Sequence, residues 1–517
     1  MPELTTDVRT SSRELKCLEL DRLAEHLARL RGEGKKIVLC HGVFDLLHIG
    51  HVRYFQRAKQ LGDVLVVTVT PDRFVNKGPQ RPAFSESLRI EALAALECVD
   101  HVALNRWPMA VETIRLLQPH VYVKGPDYKD PDNDHTGGIV LEEAAVKSVN
   151  GQLVITDDIT FSASHLINRH LPLLSQEATQ FLERFSSRYT SAEVLCYLEQ
   201  ARPLKVLVVG EAIIDEYQYC ESIGKSSKEP MLAVKRLAME RFAGGTLAVA
   251  NHVANFCDQP GLITFLGVDD PKETFIREKL NPNVQPRFLY RAGAPTIVKR
   301  RFIDQYFFTK FLEVYEINDE AWDPRDHDVL CEELRTQVPN YDVVLAVDFG
   351  HEMFSREAID LVCEKAKFLV VNTQCNAGNL GYHSISKYPR VDYVCLAERE
   401  LRLEMRDRRG DLKSLIQQIA QRLRCPVTAT RGAYGCLSYS EKDGFVEVPA
   451  FANQVVDRMG AGDTFLSLAA LCVAAKAPLE IVGFIGNVAG AEAVATVGHR
   501  TSIERARFFK HIESLLK

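Results

Sequence analysis

The 517-residue chain carries 63 Lys plus Arg against 69 Asp plus Glu, a net charge of −6, which leaves no basic stripe of the kind a nucleic-acid partner needs. That length predicts two to four domains, each able to bury its own core. The thirteen cysteines stand singly, with no Cys-x-x-Cys pair and no Cys/His cluster at zinc spacing. With no signal-peptide pattern and no apolar run of about 18 residues, they predict a cytoplasmic protein with reduced thiols and no membrane partner.

The first dozen residues are polar, and an amphipathic helix follows in RELKCLELDRLAEHLARLRGEG, whose leucines recur at three- and four-residue intervals. Apolar strand candidates then alternate with helices: KIVLCHGVF, a helix from about His48 to Leu61, DVLVVTVT, a helix at SESLRIEALAAL, HVAL, a helix at MAVETIRLLQ, VYVKG, a helix at LEEAAVKSVN, and QLVIT. This alternation implies right-handed crossovers and a parallel sheet. From His170 to about Arg202 two helical stretches follow with no strand between them, a pattern that predicts a connector. A second α/β pattern opens at LKVLVVGEAIID and continues through GLITFLG, YDVVLAVDF, KFLVVN, VDYVCLA and CPVTATRG to a long helix starting at GAGDTFLSLAALCVAAKA. The expected domains are 1–170, a helical connector over 171–202, and 203–517.

In IVLCHGVFDLLHIGH a strand runs into a turn and a helix begins near His48, so His48 and His51 share one helix face. Free backbone N–H groups and the positive dipole end favour phosphate there. Two imidazoles at that point can stabilise charge developing on an α-phosphate as pyrophosphate leaves, and Gly50 permits close approach of a nucleotide. The segments NKGPQRP, VYVKGPDY and FSASHLINR add Lys, Arg, Ser and backbone donors suited to a triphosphate. The string HIGH also occurs in tRNA synthetases, but no KMSKS-type string or basic tRNA-binding module accompanies it.

With these residues, the stretch from about 12 to 170 resembles the nucleotidyltransferase domain of the bifunctional ADP-heptose synthase family, within the wider cytidylyltransferase-like group. Gly42, Phe44, Asp45, Leu46, His48, Gly50 and His51 fit that group's G-x-F-D-L-x-H-x-G-H pattern. The resemblance implies a Rossmann-like domain that joins ATP or CTP to a phosphorylated substrate with Mg²⁺ and no covalent intermediate. It implies that His48 and His51 hold the nucleotide phosphates, with Gly42, Phe44, Asp45 and Gly50 in the nucleotide loop and Lys77 and Arg89 on the phosphate side. It further implies that Lys124 and Asp127 approach the reacting groups and that Ser162 and Ser164 close over the triphosphate. VKGPDY is closer to the heptose branch than to the glycerol-phosphate or choline-phosphate branches, which implies a sugar 1-phosphate. Pro126 replaces a glycine usual in that branch, removing an N–H and fixing φ.

VVDRMGAGDTF places two glycines and an aspartate at a helix start. The N–H groups of Gly460, Ala461 and Gly462 would form an anion hole for a transferring phosphoryl group, with Asp463 placed to take a proton from a sugar hydroxyl. Residues from about 203 to 517 resemble ribokinase-like sugar kinases, which implies a C-terminal α/β domain with a small β lid that uses ATP and Mg²⁺. On that resemblance Asp215 grips sugar hydroxyls, Gly244 and Gly245 form the glycine pair, and Lys299 and Arg301 contact substrate. Glu400 takes the place of a metal-linked glutamate, while TRGAYG and Asn487 fall where ATP is held. Three features depart from the pattern: Ala248 stands where an asparagine is usual, Ala397 where another is, and Asp457, Arg458 and Met459 stand in place of D-x-T. Losing a buried sugar-binding amide changes which hydroxyls can be satisfied, so the second domain reads either as a kinase or as a non-catalytic binding module.

The transferase precedes the kinase, the reverse of the familiar order in that family. The implied partners are a sugar phosphate and a nucleotide. SSKEPMLAVKRLAMERF supplies lid strands, through which related kinases often form homodimers, or which serve a monomer alone.

Overall fold

The computed structural model describes residues 16–79, 81–125, 138–156, 174–318, 320, 322–452 and 454–517. Asp127, Ser162 and Ser164 lie outside the described residues. The chain forms two compact units, Met1–Leu173 with Ala506–Lys517, and Leu174–Arg505.

The first unit is built on a parallel sheet of order β3-β2-β1-β4-β5, from β1 (Ile37–Gly42), β2 (Val64–Val69), β3 (His101–Leu104), β4 (Val121–Lys124) and β5 (Gln152–Ile155). β1 and β2 are nearly continuous runs of apolar residues because both of their faces are covered. The helix Leu20–Gly32 buries Leu20, Leu23 and Leu27, the stripe its leucine spacing predicts. From β1 the chain builds outward through β2 and β3, then changes direction to β4 and β5. The carboxyl ends of β1 and β4 therefore flank the crevice where open α/β sheets bind ligands.

The second unit holds a nine-stranded sheet of order β10-β9-β6-β13-β14-β15-β16-β17-β18 and a four-stranded sheet of order β12-β11-β7-β8. The core strands are β6 (Val206–Gly210), with β7 (Ala212–Lys225) and β8 (Leu232–Gly245) leaving for the small sheet, then β9 (Gly261–Gly267) and β10 (Gln285–Arg291). β11 (Ile297–Asp304) and β12 (Lys310–Glu316) complete the small sheet, and β13 (Val343–Asp348), β14 (Leu369–Thr373), β15 (Tyr393–Ala397) and β16 (Val427–Thr430) return to the large one. β17 (Cys436–Ser440) and β18 (Gly444–Val448) finish it as antiparallel edge strands. Here the change of direction falls between β6 and β13, so the carboxyl ends of β6, β13 and β14 mark the second crevice.

The helices Gln176–Ser186 and Ser191–Ala201, in the stretch expected to connect the domains, belong to this second unit. The helical period puts Phe181 and Phe185 on one face, where Phe185 stacks on Phe484 at 4.5 Å and Phe181 meets Phe451. Among the described residues no helix is long and apolar enough to cross a membrane. All thirteen cysteines are free thiols.

Candidate active sites

At the end of β1 the backbone makes a tight entry into the helix Ile49–Lys59. Phe44 adopts a left-handed φ of 51°, a strained value for a residue with a side chain. Its ring lies over Gly42, where a Cβ would meet Phe44 Cζ at 3.0 Å, and edge-on to His51 with centroids 5.7 Å apart. Phe44 is thus a wedge beneath the histidines. His48 caps the helix: its Nδ1 accepts from the Gly50 N–H at 3.1 Å, which places the ring proton on Nε2. The His48 and His51 rings lie 4.0 Å apart.

Burial first, then His48 and Lys77, hold the His51 pKa down to about 3, and burial lowers that of His48. Both rings are therefore neutral at pH 7 before an anion arrives. His51 Nδ1 is buried with no partner among the described residues, the kind of orphaned atom that a phosphate oxygen would satisfy once it is protonated. Lys77, from the loop after β2, is an electrostatic neighbour of this ring. The next residue, Gly78, has a φ of 95°, and a Cβ there would strike the His511 ring at 2.3 Å, so only glycine fits that turn. Lys124, at the end of β4, is buried and paired with Glu142 at 2.8 Å.

Two residues expected to contact nucleotide are instead engaged by protein. Arg89 is 1% exposed and donates to the carbonyls of Val43, Thr70 and Phe84 and to Asp72 Oδ1 at 2.5–3.0 Å. Asp45 is buried and accepts from the Ala83 and Phe84 N–H groups at 2.9 and 3.0 Å and from Arg81 at 3.3 Å. Together they tie the histidine loop to the segment before the helix Glu86–Ala94. Arg89→Met strands three carbonyls and Asp72, and we expect a loss of about 3 kcal/mol in a denaturant melt; a loss below about 1 kcal/mol would contradict the bracing role.

In the second unit, strand pairing brings the expected sugar-side groups together. Lys299 pairs with Asp215 and Tyr315, and Arg301 with Tyr217 and Glu313, so the period of two puts all six on one face of the small sheet. Arg301 is ion-paired with Asp215 and, at 2.7 Å, with Glu313. Gly244 must lack a side chain because a Cβ would meet Asp215 Oδ2 at 2.0 Å, and Gly245, with φ 55°, starts the helix Thr246–Ala254. Lys299 is buried, and burial lowers its pKa while Asp215 partly restores it. Beneath this face lies a cavity of about 500 Å³ lined by Lys299, Arg301, Lys310, Tyr315, Phe349 and Gln374, among others.

Gly460, at φ 80°, turns the chain into the helix Ala461–Ala474, whose first turn holds Ala461, Gly462 and Asp463. Asp463 is 8% exposed, and burial raises its pKa, opposed by His499 and by a hydrogen bond from Gln374 Nε2 at 2.5 Å. Asp215 and Lys299 are also electrostatic neighbours of this carboxylate, so the expected base and sugar-side groups converge. Asn487 points elsewhere: its Nδ2 donates to Cys436 Sγ and the Val448 carbonyl, both at 3.2 Å. Both Glu400 oxygens accept backbone N–H groups, from Cys375 at 3.1 Å and Ala397 at 2.8 Å, and burial pushes its pKa up to about 7.

Sequence reasoning missed Gln374, Lys310 and Glu142. Asp457, read only as part of a departure from D-x-T, is buried and accepts from Tyr217 Oη at 2.6 Å, Lys310, the Met459 N–H and the Gly498 N–H. It fastens the small sheet to the loop that leads into the helix Ala461–Ala474. Gln374 sits one residue past β14, so the preference of ligands for carboxyl ends of parallel strands was a signal that could have found it.

The two crevices, each with a helix N-terminus and buried polar side chains at carboxyl strand ends, define an α/β protein with two places suited to phosphate-bearing ligands. The chain belongs to the pfkB family carbohydrate kinases, whose family model matches residues 203–506, more than half of its length. Residues 39–169 match the model described as cytidylyltransferase-like. In the N-terminal region the chain is similar to the "Bifunctional protein HldE" of Citrifermentans bemidjiense, 46% identical over 115 residues, and of Geobacter metallireducens, 37% identical over 173 residues. These matches cover 22% and 32% of this chain and only 24% and 33% of the respective relatives. Among solved structures, ribokinase from Thermotoga maritima is 18% identical with a TM-score of 0.45, over 60% of this chain and 99% of that one. Phosphofructokinase-2 from Escherichia coli in complex with fructose-6-phosphate is 15% identical with a TM-score of 0.47, over 59% and 97%.

Proposed function

We propose that the chain is a bifunctional enzyme of nucleotide-sugar synthesis. The second unit phosphorylates a heptose phosphate at its anomeric hydroxyl, and the first transfers a nucleotidyl group from ATP or CTP to a sugar 1-phosphate with release of pyrophosphate. The observation that carries the reading is the presence of two separate phosphate-ready helix starts, at His48–His51 and at Gly460–Asp463. The likeness to HldE proteins at the first supports the heptose class.

At the first site a sugar phosphate oxygen attacks the α-phosphorus, and the bond from that phosphorus to the bridging oxygen breaks as pyrophosphate leaves. His48, His51 and Lys77 stabilise the charge that accumulates. At the second, a sugar hydroxyl oxygen attacks the γ-phosphorus, its proton passes to Asp463, and ADP departs with the bridging oxygen's electron pair. The N–H groups at Gly460–Gly462 receive the transferring phosphoryl charge. Mg²⁺, held mainly through the nucleotide phosphates, would neutralise phosphate charge at both sites. On the family resemblance Glu400, whose two oxygens each accept a backbone N–H group, would help hold that cation. The reactants are small molecules, and we place the enzyme in the cytoplasm on the strength of its free thiols.

A second reading, a transferase carrying a non-catalytic kinase-like module, draws on Ala248 and Ala397, which remove two amides from the second crevice. Phosphorus NMR of the protein with Mg²⁺ decides between them. Heptose 1-phosphate with ATP or CTP in separate tubes should release pyrophosphate with one nucleotide, and heptose 7-phosphate with ATP should yield a bisphosphate. Transfer without any bisphosphate would establish the second reading; inertness in every tube would overturn both.

A further inference from the structure

Resting on the kinase reading, we infer that Gln374 is a positioning residue for the base: it anchors Oδ1 of Asp463 so that Oδ2 alone faces the sugar hydroxyl. Asp463 is almost fully buried, and among the described residues its only side-chain hydrogen bond comes from Gln374 Nε2, at 2.5 Å. The nearest cation-forming group, His499, is 3.9 Å from Oδ2, beyond hydrogen-bond reach. Oδ1 is therefore fixed and Oδ2 remains open. Gln374 also lines the cavity beneath the small sheet, so the anchor links Asp463 to the wall of that cavity.

The choice of an amide has a chemical consequence. A buried carboxylate without a donor favours its protonated form and cannot accept a proton at neutral pH. A lysine or arginine in contact would hold it ionised but weaken it as a base. A neutral donor on one oxygen lies between these limits: together with His499 and Lys299 it opposes the rise that burial and the carboxylates of Asp215 and Glu400 impose on Asp463, while leaving its basicity largely intact. The geometry also selects the oxygen, since a carboxylate tethered at Oδ1 cannot rotate to exchange roles with Oδ2.

The test compares Gln374→Leu and Gln374→Lys in the full-length chain through the pH dependence of kcat for phosphoryl transfer from ATP to heptose 7-phosphate, from about pH 5 to pH 9. Removal of the donor moves the acid limb to higher pH by at least one unit, about a tenfold rate loss on that limb. The lysine moves the limb to lower pH and lowers the plateau. A role confined to folding produces no shifts of opposite sign. Carbon-13 NMR of the aspartate-labelled chain, with the Asp463 signal assigned by its absence in Asp463→Asn, follows the same carboxyl without turnover. Opposite shifts in that titration uphold the anchor even if no sugar is phosphorylated, which would refute only the kinase reading. Coincident titration curves for wild type and both variants would overturn the anchor.

Discussion

In the His51→Ala chain, nucleotidyl transfer falls by about 10²- to 10³-fold while sugar phosphorylation proceeds at the wild-type rate. The size follows from losing one preorganised group at the point where charge develops. His51 is neutral at pH 7, its pKa held down to about 3, because burial, His48 and Lys77 all disfavour its charged form. An incoming triphosphate reverses that balance, so the ring is a stronger donor with nucleotide bound than without. Alanine suits a helix first turn, and the packing lost is confined to the ring contact with His48 and the edge contact with Phe44, so the fold survives. Steady-state rates for both reactions on one preparation check this, and an equal fall in both would refute separate sites.

Asp463→Asn has the complementary effect. Phosphoryl transfer to the sugar drops by about 10²- to 10⁴-fold, since the amide cannot take up the hydroxyl proton, and nucleotidyl transfer is unchanged. The substitution keeps side-chain volume and relieves a buried charge, so it should not destabilise the second unit. A kinase rate within about twofold of wild type, too small a change for loss of a general base, would show that Asp463 is not the base.

Much of this organisation was legible because it is local. The alternation of apolar runs with amphipathic helices predicts the parallel sheet of the first unit and the α/β pattern of the second, whose large sheet ends in two antiparallel strands, and the pairs His48/His51 and Gly460/Asp463 lie within one helical turn of each other. What stayed hidden depends on partners distant in the chain. Arg89 looks like a phosphate ligand until the fold wraps it in the carbonyls of Val43, Thr70 and Phe84. Lys124 looks free until Glu142 meets it. β11 and β12 passed unnoticed as strands because one face is polar with substrate-side charges and the other carries exposed Leu312 and Val314, so no clean alternation marks them. The contact of Gln374 with Asp463 spans 89 positions and follows only from the register of β14 beside its neighbours. Asp127, Ser162 and Ser164 lie outside the described residues, and their roles rest on resemblance alone.

If one chain carries two independent phosphotransfer sites, a mixture of the two damaged chains regains both reactions. Equal amounts of His51→Ala and Asp463→Asn protein are combined, and both reactions are followed by phosphorus NMR. Each reaction should run at about half the rate per total chain that wild type gives, because each variant retains the site its partner lacks. A mixture that performs neither reaction, or only one of them, would contradict the two-site account.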